Sequence, residues 1–95
     1  MTKKQLAEKA IVIMEEYKKL SDHLWNQIQT GRIHGHHANL MVGGCAGYNK
    51  LESLLRKGIN SPIVKKMKKD ELIGHIAEIE QNMEAIKKVI GGTAP

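Results

Sequence analysis

Phenylalanine is missing from this sequence, and aromatic side chains are scarce altogether: Trp25, Tyr17 and Tyr48 are all that 95 residues contain. Few flat platforms remain on which bases could stack, which weighs against RNA or single-strand recognition. Cysteine occurs once, at Cys45. No intrachain disulfide can form, and a reducing, cytoplasmic setting is expected. No run approaches the roughly 18–20 apolar residues of a membrane span. Charges at Lys3, Lys4, Glu8 and Lys9 also break up the apolar stretch a signal peptide needs. No membrane partner is expected.

Catalytic motifs are missing as well. There is no Gly-x-Ser-x-Gly elbow, and Gly43-Gly44-Cys45-Ala46-Gly47 lacks the Gly-Lys-Ser/Thr ending of a phosphate loop. Glu78, Glu80 and Glu84 read as a solvated helix face, and Cys45 as a buried thiol of low reactivity. A non-enzymatic chain without a cofactor is expected.

What is present is helical pattern. Leu, Ile, Val, Met and Ala dominate the apolar content, which favours helix–helix packing over a sandwich of sheets. Thr2-Lys3-Lys4-Gln5 has the form of a capping box. Leu6, Ala10, Ile13, Tyr17, Leu20, Leu24 and Ile28 then follow at helical spacing, and Gly31 is a natural stop. Ile11, Val12, Met14 and Trp25 widen that stripe. A helix over about 3–30 would be about 42 Å long, more than one partner helix in so short a chain is expected to cover.

A second helix is expected over about 38–57, with Leu40, Met41, Leu51, Leu54 and Leu55 as its apolar content. Gly43, Ala46 and Gly47 on it would form a small-residue face for close helix contact. Gly58 to Pro62 is a turn, with Ser61 as a cap and Pro62 at the next helix's first position. Ile63, Val64 and Met67 give a short apolar face, after which Asp70 could cap a fresh start. Leu72, Ile76, Ile79, Met83, Ile86 and Ile90 form a heptad-like seam ending at Gly91-Gly92.

Charge is unevenly placed. The net charge is +5, yet residues 50–69 alone hold seven basic side chains against Glu52, while residues 70–95 hold five acids against two lysines. Arg56, Lys57, Lys65, Lys66, Lys68 and Lys69 are the candidate contacts to an acidic or phosphate-bearing partner. Residues 51–69 also read, as an alternative, as a helix-turn-helix delivering four lysines to DNA. Leu54 and Lys57 fit that motif poorly, and base-reading side chains are lacking.

His34, His36 and His37 lie in the first connection, with Cys45 further on. Their spacing matches no standard zinc pattern, so no metal is expected. As a group they could instead hold a small anionic ligand such as a nucleotide, in a pocket shared between copies. A His-Asn-His nuclease layout is rejected because nothing reads as a strand.

The sequence thus predicts an all-α chain: a small bundle of three to four helices with a long N-terminal and a long C-terminal helix, associating into a homo-oligomer. It forms one domain over 1–92 with a disordered tail at 93–95. The expected role is that of an inhibitor, adaptor or ligand-sequestering protein. Its general look is shared by many small accessory proteins of phages and mobile elements.

Overall fold

Thr2 starts the first helix with its own side chain. Its hydroxyl accepts from the Gln5 backbone N–H at 3.1 Å, and the Gln5 side-chain oxygen accepts from the Thr2 N–H at 2.8 Å. The helix, α1, spans Lys3–Gln29 and is about 40 Å long at 1.5 Å per residue. Gly31 stops it with φ +76°. The Gly31 N–H then bonds the Ile28 carbonyl and the Arg32 N–H the Gln27 carbonyl, which satisfies two of the helix's last acceptors. The computed structural model describes residues 1–91; the expected tail at 93–95 lies outside them.

The chain then returns along α1 in 3₁₀ turns at Gly35–Leu40 and Val42–Gly44. Here the expected helix over 38–57 is corrected: its first part, up to Cys45, is not α-helical. Gly43 and Gly44 favour helix weakly. Asn39 folds back so closely that a Cβ on Gly44 would lie 2.6 Å from its carbonyl oxygen. Two bonds to α1 hold the return in place. Tyr17 donates its hydroxyl proton to the Leu40 carbonyl at 2.5 Å, and Ser21 Oγ accepts from the Val42 N–H at 3.2 Å.

Helix proper resumes in α2 (Ala46–Leu51) and α3 (Ser53–Lys57). Glu52 between them keeps right-handed helical dihedrals, so the two are nearly continuous. Gly58, at φ +64°, ends α3. A 3₁₀ turn over Gly58–Asn60 leads to α4 (Pro62–Lys66). Ser61 holds the capping position, but its side chain does not cap. It is buried instead and shares a 2.5 Å hydrogen bond with Ser53 Oγ.

Lys69–Gly91 form α5. Asp70, expected as a cap, lies inside its first turn with Glu71, where the helix dipole favours acids. Lys3 meets the Lys65 carbonyl and, further along, Tyr17 meets Asn82, so α1 and α5 run in the same direction. The middle of the chain returns between them.

Leu6, Ala10, Ile13, Met14, Tyr17 and Leu24 of α1 are buried against Leu72, Ile76, Ile79, Met83 and Ile86 of α5, with Cys45, Leu51 and Leu54 closing the core. The two stripes are therefore mostly covered within one chain, with Leu20, Ile28 and Ile90 left half-buried. Val12 and Trp25 do not widen the buried face: they are 57% and 45% exposed. Among the described residues the architecture is five α-helices without strands. That corrects the three to four expected, because α2 and α3 are separate segments and α4 stops at the extended Met67 before α5 begins. Among the same residues no helix is long and apolar enough to cross a membrane.

Candidate functional site

The basic segment is displayed on a break, not on one helix. Arg56 and Lys57 close α3, Lys65 and Lys66 close α4, Lys68 lies between helices, and Lys69 opens α5. Lys65, Lys66, Lys68 and Lys69, which the helix-turn-helix reading would deliver together on its second helix, therefore do not share one helix. Met67 takes extended dihedrals, φ −75° and ψ 139°, as its side chain turns into the core. All six cations are exposed. Among the described residues the ion pair that forms is Lys87–Glu84 on α5, far along the helix from them.

Two cavities flank α4. The first, of about 350 Å³, lies between α4 and the first turn of α1. Lys3, Lys4 and Lys65 rim it together with Asn60, over an apolar floor of Ala7, Ile59 and Val64. Lys3 Nζ donates to the Lys65 carbonyl at 2.7 Å and ties the two walls together. The second, of about 600 Å³, is lined by Lys50 and Lys66 with Glu71, and by Ile63, Met67, Gly74 and His75. Arg56, Lys57, Lys68 and Lys69 line neither.

Lys3, Lys4 and Asn60 were not singled out in the sequence. A signal was present, however. The first turn of α1 holds two lysines and no acid, the reverse of what a helix dipole favours. The placement concentrates positive charge at the end of α1 that is already positive.

The histidines do come together. The His36 ring lies between those of His34 and His37, with centroids 4.6 and 3.9 Å away. His34 Nδ1 lies 2.6 Å from His36 Nδ1 and accepts from the His36 backbone N–H at 3.2 Å. Lost hydration, then the charges of His37 and His34, hold His36 below the ordinary imidazole range. That works against a cationic cluster. Neither cavity is lined by these three residues. Among the described residues no group of three or more His, Cys, Asp or Glu side chains is placed to hold a metal ion.

Of the small residues on the second helix, Gly47 is buried against α5, while Ala46 is exposed and Gly43 faces open space. Within the chain, close approach therefore belongs to Gly47 alone of the three.

A polar group the sequence did not announce sits in the core beside Gly47. Asn82 Nδ2 donates to the Tyr17 hydroxyl at 3.1 Å, and Cys45 Sγ donates to Glu78 Oε1 at 3.7 Å. Burial pushes Tyr17 up to about 12, with the Asn82 bond partly opposing. Burial also raises the Cys45 thiol, which has no exposed surface. A protonated, inaccessible thiol is a poor nucleophile. The group ties α1 and the start of α2 to α5.

Compared with known proteins, the chain matches no family model, no curated protein and no solved structure.

Proposed function

We propose that this chain is a non-catalytic helical binding protein that takes an acidic or phosphate-bearing macromolecule on the surface around α4. One observation carries the reading. Arg56, Lys57, Lys65, Lys66, Lys68 and Lys69 are all exposed on one short stretch, with no ion pair among the described residues to neutralise them. Glu52, Asp70 and Glu71 lie beside them in sequence without pairing with them, so an excess of positive charge remains. That excess raises the local potential and steers acidic partners to the surface. The fold supports this further, because the break at Met67 spreads the lysines over three elements instead of one stripe.

The helix-turn-helix alternative over residues 51–69 has less support. Helix α4 has five residues, about 7.5 Å of helix, little to lay in a major groove. Self-association keeps a narrower support than the stripes gave it: the half-exposed Trp25 with its i+3 neighbour Ile28 at the far end of α1.

The test is binding of fluorescent short-chain polyphosphate, an acidic peptide and duplex DNA, each titrated with salt. Affinity for polyphosphate or the acidic peptide is expected to fall steeply as salt rises. Replacing Lys65, Lys66, Lys68 and Lys69 together with Ala is expected to remove it. No binding of any of the three at low salt would overturn the reading, and binding of duplex DNA alone would favour the alternative.

A further inference from the structure

The cavity between α1 and α4 differs from the open basic surface in having walls, a floor and charge of one sign. We propose that it binds a small phosphomonoester with an apolar body. The proposal deepens the reading of this region as anion-binding and shares Lys65 with it.

The rim is assembled from two ends of the sequence. Lys3 and Lys4 come from the first turn of α1, and Lys65 from α4, 62 residues away from Lys3. The bond from Lys3 Nζ to the Lys65 carbonyl at 2.7 Å fixes one ammonium at the rim. An ammonium has three N–H donors, so that bond leaves donors for a ligand. No carboxylate lines the cavity. Three cations that repel one another around one opening are relieved by an anion, and a phosphate dianion relieves them more than a carboxylate does. The positive end of the α1 dipole adds to the same field. The second cavity, by contrast, has Glu71 in its wall.

The floor sets the other half of the ligand. Ala7 and Val64 are each 2% exposed and belong to the core, and Ile59 packs beside them. The apolar surface open to solvent there is chiefly that of Ile59, which is half-buried, and a bare inorganic phosphate would leave it wet. An alkyl or small aryl body would cover it. Asn60 offers a neutral amide at the rim for an ester or hydroxyl oxygen. The volume, about 350 Å³, is at the small end of ligand sites. No aromatic side chain lines it, so nothing there would select a nucleobase by stacking.

The experiment uses the full chain with hexyl phosphate, inorganic phosphate and 1-hexanol, followed by calorimetry and by NMR of the Ala, Ile and Val methyl groups. Hexyl phosphate is expected to bind at least about ten-fold more tightly than inorganic phosphate, the gain expected from about two methylenes leaving water. Methyl shifts should centre on Ala7, Ile59 and Val64. K4A/K65A should weaken binding by about ten-fold or more, as expected for loss of two charge-assisted contacts. K18A/K19A, which removes the same charge elsewhere on α1, should leave it unchanged. Equal affinity for the two phosphates, shifts centred elsewhere, or equal loss in both double variants would each overturn the proposal. Polyphosphate binding measured on the same samples separates the two readings. If it persists while hexyl phosphate fails, the cavity is refuted and the surface is not.

Discussion

Gly47 of α2 lies so close to α5 that a methyl group on it would stand 2.9 Å from the His75 carbonyl oxygen and 3.3 Å from its Cα. Neither backbone atom can rotate away. Glu78 Oε2 would stand at 2.9 Å as well, and the same carboxylate accepts from Cys45. Gly47→Ala is therefore expected to destabilise the fold by about 1–3 kcal/mol, as overpacking does. Gly43 is the internal control. A Cβ there meets nothing within 4 Å, and its φ is not positive. Gly43→Ala should be neutral or stabilising by about 0.4–1 kcal/mol through the unfolded chain. Thermal melts of the two variants should move in opposite directions or differ clearly in size.

The pair also shows where sequence stops being legible. Both long helices could be read because their stripes repeat over many turns and their ends have local causes in Thr2, Gln5 and Gly31. The region between them could not. Leu40, Met41, Gly43 and Gly44 permit helix by spacing, but the return is decided by bonds to Tyr17 and Ser21 from residues twenty or so positions away. The cavity was illegible for the same reason. Lys3 and Lys65 are neighbours only because α1 and α5 run in parallel.

Tyr17 carries a prediction about pH. Its hydroxyl donates to the Leu40 carbonyl and accepts from Asn82, so Tyr17→Phe leaves two groups without their partner and should cost about 1–3 kcal/mol. In the native chain burial pushes its ionisation up to about 12, from 10.0. A raised folded value means the protonated form is the stabilised one. That contribution is fully present below pH 10 and is lost as pH rises towards 12. Tyr48 is shifted upwards too, by burial and then by Glu52 and Asp22. Denaturant melts across this range should show a loss of stability that Tyr17→Phe makes shallower, and phenolate absorbance should rise together with unfolding.

Ser53 and Ser61 allow a double-mutant cycle. Both are buried, and their hydroxyls lie 2.5 Å apart. Removing one leaves the other without its partner, so Ser61→Ala or Ser53→Ala alone should each cost about 1–3 kcal/mol. Removing both is expected to cost less than the sum of the singles. Because this bond spans the turn that presents Arg56, Lys57 and Lys65, each single variant should also weaken polyphosphate binding. Strictly additive melts would show that the hydroxyls do not depend on one another.

Trp25 tests self-association through the far end of α1. The stripes that suggested it are mostly covered inside one chain, so an oligomer has to use the apolar surface that is left. It includes Ile63 on α4 and Ile73 on α5, and on α1 it is Val12 and Trp25. These last two are thirteen residues apart, which turns them roughly 140° from each other around the helix, so they do not form one face. Trp25 is the larger and has Ile28 one turn on, half-buried. It is also the sole tryptophan, so its emission reports on this surface alone. Association through it should shift the emission to shorter wavelength as concentration rises, in step with an increase in light-scattering mass. Trp25→Ala should then hold the mass at that of one chain while leaving the melt nearly unchanged, since a half-exposed side chain contributes little to the core. A mass of 10.6 kDa at every concentration, with constant emission, would remove self-association from the reading. The basic surface and the cavity would stand untouched, because each is complete within a single chain.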